Sequence, residues 1–266
     1  MNEKVAIVTG AARGIGLATV RELLMSGWRV ALVDRDQPAL SQSYSELGKT
    51  NECAADDVLL ATSCDVSVPE DVKHMVDTTL TKWGRIDALV NNAGVADFRP
   101  LEDTSYEIWR TVFATNLDAV FLCSQAVAPE LKKTKGAIVN IASISGIRAS
   151  TLRVAYGTSK AAVIHLTQQQ AAELGEYQVR VNCVAPGPVK TKLSVAVHTP
   201  EIISAYHDAI PLNRYGSEKE IADVIVFLCS EKAAYVTGQT LAVDGGFEST
   251  GVGLPALRTS EDQTGV

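Results

Sequence analysis

Short runs of apolar residues, many of them β-branched, recur along the chain and are separated by longer segments with helical periodicity. Runs that are apolar throughout, rather than alternating with polar residues, are typical of parallel strands buried on both faces. The predicted strands are Val5–Thr9, Val30–Val33, Leu59–Cys64, Ala88–Val90, Ala137–Ile141, Val179–Val184 and Thr240–Val243. The alternation therefore predicts an α/β fold, a doubly wound, seven-stranded parallel sheet with helices on both faces.

The alternation continues along nearly all of the 266 residues, so we expect a single domain spanning 1–266. Two segments differ from it: residues 188–216 are polar and contain proline, and residues 251–266 form a tail of Gly, Thr and charged side chains. We expect both to be mobile. Three helices are predicted to begin with capping boxes, which are Ser67 with Glu70, Thr104 with Glu107, and Ser217 with Glu220.

Charge and apolar patterning argue against several classes of partner. The formal net charge is −7 and the basic residues are scattered, so we expect neither nucleic acid nor an anionic membrane surface as a partner. No apolar stretch reaches the roughly 18 residues of a spanning helix, and residues 1–10 lack the apolar core of a signal peptide. The 5 cysteines are widely separated. These features predict a cytoplasmic protein with reduced thiols and no metal site.

A glycine-rich segment, Thr9-Gly10-Ala11-Ala12-Arg13-Gly14-Ile15-Gly16, follows the first predicted strand and leads into a helix. Glycines allow a tight turn and close approach to phosphate, while a helix N-terminus offers free N–H groups and a positive dipole. A turn without a ligand is the alternative, because such spacings also occur by chance. Between a strand and a helix, the segment predicts the pyrophosphate site of a Rossmann-like fold, with contacts from Gly10, Arg13, Gly14, Ile15 and Gly16.

Asp34 ends the second predicted strand, 18 residues beyond Gly16. A carboxylate there accepts hydrogen bonds from the adenosine ribose hydroxyls and repels a 2′-phosphate. Arg13 and Arg35 count against this interpretation, because a nearby Arg accommodates the extra phosphate. The sequence favours NAD as the cofactor, with NADP as the weaker alternative.

The spacing Gly-x-x-x-Gly-x-Gly resembles that of the short-chain dehydrogenase/reductase family, and the likeness extends from Thr9 to about Gly246. Further motifs agree in order and spacing: Asp65, Asn91-Asn92-Ala93-Gly94, Asn116, Ser143, Tyr156 with Lys160, Pro186-Gly187 through Thr191, and Asp244-Gly245-Gly246. No single motif is decisive, but their conjunction is very specific.

The resemblance implies cofactor contacts along the carboxyl ends of the strands. They lie beside the adenine (Asp65, Val66), along the cleft (Asn91, Asn92, Ala93, Gly94) and at the nicotinamide end (Pro186, Gly187, Val189, Thr191). Tyr156 and Lys160 are also expected to contact the cofactor, because the family's Lys holds the nicotinamide ribose.

Tyr156 and Lys160 are four residues apart in a predicted helix and therefore share one face. Carbonyl reduction needs a proton donor, and a Tyr with its ordinary pKa of about 10 exchanges a proton poorly at neutral pH. A neighbouring Lys ammonium would lower that pKa. Without context such a pair is more often an amphipathic surface pair, but the other motifs favour catalysis.

The resemblance supplies two more catalytic residues. Ser143 is expected to hydrogen-bond the reacting oxygen and place it against Tyr156. Asn116 is expected to bind a water that links Lys160 to solvent. Between Ser143 and Tyr156, Arg148 and Arg153 are either interface or solvent charges, or a clamp for a carboxylate or phosphate of the substrate.

Together these features predict an NAD(H)-dependent oxidoreductase that interconverts a secondary alcohol and its ketone by hydride transfer. The polar segment 188–216 suggests a small-molecule substrate such as a polyol or sugar, and His198 and His207 are either surface residues or line its entrance. An NADPH-dependent ketoreductase such as a 3-oxoacyl reductase is the first alternative, and a scaffold that senses NAD(H) without turnover is the second. The family likeness also implies a homotetramer.

Overall fold

The computed structural model describes residues 3–50, 55–190 and 199–250, and within them seven parallel strands form one sheet. They are β1 (Val5–Thr9), β2 (Arg29–Asp34), β3 (Leu59–Ser63), β4 (Ala88–Asn91), β5 (Ala137–Ile141), β6 (Arg180–Pro186) and β7 (Thr240–Val243). Their order across the sheet is β3-β2-β1-β4-β5-β6-β7. The predicted seven-stranded parallel sheet is confirmed, with boundaries that shift by at most two residues.

Helices cover both faces of the sheet. In chain order they are α1 (Gly14–Met25), α2 (Gln37–Thr50), the one-turn α3 (Ala55–Val58), α4 (Pro69–Trp83), α5 (Tyr106–Phe113), α6 (Ala119–Thr134), the one-turn α7 (Ile144–Ile147), α8 (Val154–Leu174), α9 (Pro200–Ala209) and α10 (Glu218–Cys229). Short 3-10 turns occupy Leu101–Asp103, Gly175–Tyr177 and Glu231–Ala233. One face is covered by α1, α2 and α10, and the other by α4, α6 and α8.

The central strand β1 shows how one sheet carries two cores. Ala6 and Val8 belong to the apolar cluster beneath α1 and α10, whereas Ile7 belongs to the cluster beneath α4 and α6. Successive strand side chains point to opposite faces, and all three residues are fully buried. This explains why β1 is apolar at every position instead of alternating.

The chain order reverses between β1 and β4. β2 and β3 lie on one side of β1, and β4 to β7 follow on the other. Ligands of open α/β sheets bind beyond the carboxyl ends of the strands at such a switch point. The loops that follow Thr9 and Asn91 meet at this point and form the floor of the site.

The capping box predicted at Ser217 is confirmed, and the one at Ser67 is wrong. At the start of α10, the Glu220 N–H donates to Ser217 Oγ (3.2 Å) and the Ser217 N–H donates to Glu220 Oε2 (2.8 Å). Helix α4 begins instead at Pro69, whose fixed φ suits the first helical position. The Ser67 hydroxyl donates to Asp65 Oδ1 (2.6 Å) and takes no part in capping the helix.

The box predicted at Thr104 is also wrong, because α5 begins one residue later. Ser105 is its N-cap, and its hydroxyl oxygen accepts from the Ile108 N–H (3.3 Å). Thr104 Oγ1 donates to the Pro100 carbonyl (3.0 Å). Ser is preferred over Thr at the N-cap, so the neighbouring Ser takes the position.

Residues 188–216 are less irregular than the sequence suggests. They contain α9, whose N-cap Thr199 accepts from the Ile202 N–H (3.4 Å) through its hydroxyl. Near the two ends of the segment, Val189 and Gly216 pair in a parallel bridge. Residues 191–198, including His198, and the tail 251–266 lie outside the described residues.

Helices α5 and α6 are joined by a π-helical turn, Ala114–Asp118, into one helix of 29 residues. By length and composition this helix could cross a membrane, which differs from the expectation that no apolar segment is long enough. Its inner face packs on the sheet, where Val120, Val127 and Leu131 are buried. Packing of this inner face on the sheet accounts for part of its apolar composition.

Candidate active site

The glycine-rich turn after β1 is fastened to the loop after β4 by Thr9 and Asn92. The Thr9 hydroxyl donates to the Val90 carbonyl (3.3 Å) and accepts from the N–H groups of Asn92 (3.0 Å) and Ala93 (3.1 Å). Asn92 Nδ2 donates to the carbonyls of Thr9 and Gly10, each at 3.0 Å. Thr9 is a structural residue of the site that sequence reasoning did not single out, although it begins the glycine motif.

The three motif glycines serve different purposes. Gly10 has φ +63°, and a Cβ there would lie 2.8 Å from Ala93 Cα. A Cβ on Gly16 would clash with the Gly10 carbonyl. Gly14 also has a left-handed φ, +62°, but the nearest atom to an added Cβ is Glu218 Oε1 at 3.8 Å. The protein's own packing thus requires Gly10 and Gly16, whereas the space beside Gly14 is open to a ligand.

Helix α1 begins beside this open space. Its N-cap, Arg13, makes no side-chain capping hydrogen bond. The first N–H groups of a helix lack partners within the helix, and they carry the positive end of its dipole. The turn therefore presents a site suited to an anion such as pyrophosphate.

Carboxylates and arginines alternate at the carboxyl end of β2. Asp34 accepts from the Ala12 N–H (3.1 Å) and from the Asp36 N–H (3.0 Å), which hold its carboxylate in place. Arg13 forms an ion pair with Asp36, and Arg35 lies 4.0 Å from a carboxylate oxygen of Asp65. A hydrogen bond from the Ala39 N–H and one from Arg13 lower the pKa of Asp36, and hydrogen bonds from Ser67 lower that of Asp65. Both arginines are thus paired with charged carboxylates.

A cavity of about 320 Å³ extends from the glycine turn to this acidic edge. Its walls include eight of the predicted cofactor contacts, Gly10, Arg13, Asp34, Asp65, Val66, Asn92, Ala93 and Gly94. We call it the nucleotide cavity.

A second cavity, of about 290 Å³, adjoins the first and shares Asn92, Gly94 and Val95 with it. We call it the catalytic cavity. The predicted residues in its walls are Ile15, Asn92, Gly94, Ser143, Tyr156, Lys160, Pro186, Gly187 and Val189. Thr191 lies outside the described residues.

Tyr156 lies in the first turn of α8 and lines the catalytic cavity together with Ser143. Ser143 is the N-cap of α7, and its hydroxyl oxygen accepts from the Ser145 N–H (3.1 Å). Burial raises the pKa of Tyr156, while the Ser143 hydroxyl and the positive charge of Arg153 lower it, and burial dominates. The structure therefore brings Ser143 and Tyr156 together as predicted.

Lys160 is only 4% exposed and lies one helical turn after Tyr156. Its Nζ donates to the Ile141 carbonyl (2.7 Å) and stands 5.9 Å from the centroid of the Tyr156 ring. Burial lowers the pKa of Lys160 to about 8. The positive charge that lowers the pKa of Tyr156 here is that of Arg153. The lowering of this pKa by Lys160 stays a prediction.

Asn116 lies in the π-helical turn and is fully buried. Its Oδ1 accepts from the Val95 N–H (2.8 Å), and its Nδ2 donates to the Val95 carbonyl (2.9 Å) and to Ser159 Oγ (3.1 Å). A Cβ on Gly94 would lie 3.2 Å from Asn116 Oδ1 and 3.4 Å from Lys160 Nζ. The side chain of Asn116 thus fixes the loop after β4 in a position close to Lys160.

Asn91 does not line the cleft as the family resemblance implies. It is buried, and its Nδ2 donates to Asn140 Oδ1 (2.8 Å) and Ser124 Oγ (3.1 Å) in the core between strands and helices. Asn140 in turn donates to Thr167 (2.9 Å) and Gln170 (3.0 Å). Because successive side chains point to opposite faces, Asn91 enters the core, whereas Asn92 contacts the glycine-rich turn.

The two arginines between Ser143 and Tyr156 are placed differently. Arg148 is exposed, and its guanidinium donates to the carbonyls of Phe247 (3.1 Å) and Glu248 (3.2 Å). Arg153 lines the catalytic cavity together with Tyr206 of α9, which belongs to the polar segment 188–216, and with Phe98, which the sequence had not singled out. A single aromatic residue in a loop, such as Phe98, carries no pattern that would have found it.

His207 stacks edge-on against the Tyr215 ring, with centroids 5.4 Å apart, rather than lining the catalytic cavity. Within the described parts of the chain, no three His, Cys, Asp or Glu side chains form a group that could hold a metal ion.

Comparison with known proteins places these features in context. A family model described as enoyl-(acyl carrier protein) reductase matches residues 10–248. A 3-oxoacyl-[acyl-carrier-protein] reductase of Synechocystis is 38% identical over 92% of this chain and 97% of its own length. A meso-2,3-butanediol dehydrogenase of Serratia marcescens is 36% identical over 92% of this chain and 94% of its own. The crystal structure of levodione reductase superposes with a TM-score of 0.88 at 32% identity, covering 93% of this chain and 98% of that one.

Proposed function

The chain belongs to the short-chain dehydrogenase/reductase family, whose members are oxidoreductases that act on CH–OH groups, and we propose that it interconverts a secondary alcohol and its ketone with NAD(H). One observation carries the proposal. Tyr156, Ser143 and the buried Lys160, one turn after Tyr156, line the same cavity, and this cavity joins the nucleotide cavity.

The residues present fit a nicotinamide dinucleotide. The open space at Gly14 and the uncapped start of α1 suit the pyrophosphate, and the carboxylate of Asp34 suits the adenosine ribose. Val189, Gly187 and Lys160, which line the catalytic cavity, would hold the nicotinamide end. When bound, the cofactor supplies or accepts the hydride.

Each catalytic residue has one task in this mechanism. In the oxidation direction, Tyr156 removes the proton of the alcohol hydroxyl while hydride leaves the carbon, and in reduction it returns that proton to the carbonyl oxygen. Ser143 holds the reacting oxygen against Tyr156. Lys160, with a pKa of about 8, gains or loses a proton near neutral pH and suits a proton path to solvent. Asn116 holds the loop that borders Lys160.

The paired arginines support NAD over NADP. A 2′-phosphate would lie near the Asp34 carboxylate, and both arginines that could compensate already pair with Asp36 and Asp65. Recruiting Arg13 would leave a charged Asp36 without its partner. An NADPH-dependent ketoreductase remains the second candidate, since the relative from Synechocystis is named a 3-oxoacyl-[acyl-carrier-protein] reductase.

The walls of the catalytic cavity give little support to a polyol or sugar. Besides the catalytic residues they are largely apolar, with Val95, Phe98, Ile144 and Val189 among them. A substrate with several hydroxyl groups would lose hydrogen bonds to water wherever it faces these apolar side chains. We therefore propose a secondary alcohol with an apolar body.

The test measures reduced nicotinamide absorbance with a panel of secondary alcohols for the wild type and Tyr156→Phe. Because the Phe side chain carries no exchangeable proton, kcat should fall about 10²- to 10⁴-fold. NADH binding, followed by fluorescence, should persist in Tyr156→Phe and show that the site is intact. Undiminished kcat in this variant would contradict the proposed mechanism, and binding without turnover in the wild type would favour the NAD(H)-sensing scaffold.

A further inference from the structure

Arg153 holds a positive charge beside the reacting group. It precedes α8 directly, one helical turn before Tyr156, and lines the catalytic cavity. Its Cζ lies 4.8 Å from the centroid of the Phe98 ring, which meets the Tyr156 ring edge-on at 6.2 Å between centroids. Arg153 Nη2 also lies 3.5 Å from the Tyr206 hydroxyl. Two aromatic side chains thus keep the guanidinium at the cavity wall.

No carboxylate neutralises this guanidinium within residues 3–50, 55–190 and 199–250. Arg153 Nη1 donates to the Thr151 carbonyl at 3.3 Å, which leaves further donors of the guanidinium for a ligand. The adjacent Arg99 differs, because Asp97 binds it through both carboxylate oxygens at 2.5 and 2.6 Å. A partly buried guanidinium that faces a cavity without a protein carboxylate is suited to bind an anion.

The position of Arg153 limits the distance between the anionic group of a substrate and its reacting carbon. Arg153 and Tyr156 are three residues apart in the chain, line the same cavity and both meet the Phe98 ring, so the guanidinium lies near Tyr156. Tyr156 and Ser143 mark the reacting oxygen, so an anion at Arg153 must be joined to the reacting carbon by a few bonds. The phosphate groups of a large carrier would be too distant, and a thioester carries no charge at that position.

We propose that the substrate is a short hydroxy acid, or its oxo acid, whose carboxylate is bound by Arg153 while its alcohol carbon faces Tyr156. The proposal rests on the proposed function and adds the substrate class. A carboxylate matches the fork of guanidinium donors and would orient the alcohol for hydride transfer. The remaining apolar walls accommodate the hydrocarbon part of the acid.

The test compares hydroxy acids with their neutral methyl esters. The pairs are 2-hydroxybutanoate, 3-hydroxybutanoate and 5-hydroxyhexanoate, each with its ester, and the N-acetylcysteamine thioester of 3-hydroxybutanoate represents an acyl-carrier substrate. Steady-state kinetics are measured for the wild type, Arg153→Met and Arg153→Lys. Arg148→Met is the matched control, because Arg148 lies outside the catalytic cavity and binds backbone carbonyls.

We expect the wild type to prefer at least one acid over its ester and over the thioester. In Arg153→Met the ratio of kcat/KM for that acid to kcat/KM for its ester should fall about ten- to hundredfold, mainly through KM, as loss of a charged hydrogen bond predicts. In Arg153→Lys this acid-to-ester ratio should fall less than in Arg153→Met, and in Arg148→Met it should equal that of the wild type. The ratio cancels any effect of Arg153 on Tyr156 that acid and ester share.

Two results would overturn this inference alone. One is an equal loss for acid and ester in Arg153→Met, and the other is turnover of neutral alcohols or esters by the wild type with poorer turnover of every acid. If a folded wild type that binds NADH turned over no acid, ester, thioester or neutral alcohol, the proposed function would fail as well.

Discussion

In the proposed function, the choice of dinucleotide depends on the side chain of Asp34. Asp34→Ala should lower kcat/KM for NAD about ten- to hundredfold, because the ribose loses charged hydrogen bonds. The loss with NADP should be smaller, since a repulsive charge disappears at the same time. Steady-state kinetics with both cofactors give the ratio of kcat/KM for NAD to kcat/KM for NADP. Asp36→Ala frees Arg13 from its ion pair and should raise kcat/KM for NADP. A wild type that prefers NADPH would contradict the assignment.

Arg153 also affects the titration of Tyr156, because its positive charge lowers the pKa that burial raises. Alcohol oxidation uses the deprotonated Tyr, so its rate increases as pH rises through this pKa. Arg153→Met removes the charge, the pKa of Tyr156 rises, and the midpoint of the pH profile should move to higher pH. The profile of kcat/KM for a neutral alcohol measures the shift. The same profile for Arg148→Met should match the wild type, and a downward shift in Arg153→Met would refute the argument.

The start of α10 offers a test of local helix stabilisation. Ser217 caps this helix in a reciprocal box with Glu220. Ser217→Ala should lower the free energy of unfolding by about 1 kcal/mol, as loss of an N-cap does. Thr104→Ala is the matched control: Thr104 precedes α5 without capping it, so its replacement should cost less. Urea unfolding measures both, and equal losses would contradict the assigned caps.

The long helix formed by α5 and α6 has a functional irregularity. Its π-helical turn carries Asn116, whose amide holds both backbone groups of Val95. An extra residue per turn in a helix redirects side chains, and such turns are frequent at functional sites. The inner face of this helix thus packs on the sheet, and its π-helical turn holds the loop beside Lys160 in place.

At the scale of the whole molecule, the homotetramer remains a prediction. Large apolar side chains stay exposed on helix α6 and on the edge strand β7, where Phe121 is 49% and Leu241 36% exposed. We expect these two side chains to be covered by neighbouring chains in the predicted homotetramer. Light scattering coupled to size exclusion should give four times the 28.3 kDa chain mass, and Phe121→Glu should reduce it. A monomeric wild type would refute the prediction.

Much of the site followed from the order of residues along the chain. Apolar runs and helical periods determined the sheet and its strand boundaries, because burial on both faces leaves a direct compositional signal. The glycine turn and Asp34 were predicted to lie together, since parallel strands bring their carboxyl ends to one edge. Tyr156 and Lys160 were predicted from their helical spacing, and Ser143 from the family resemblance.

Only the tertiary structure decided which neighbours each of these side chains meets. It turned Asn91 into the core and Asn92 into the site, paired Arg13 with Asp36, and placed Arg153 rather than Arg148 at the catalytic cavity. Periodicity records which residues are buried, whereas ion pairs and cavity walls depend on distances between segments far apart in the chain. A charged or aromatic residue in a loop has no local signal for its partner, so its role emerges only when the loops are assembled.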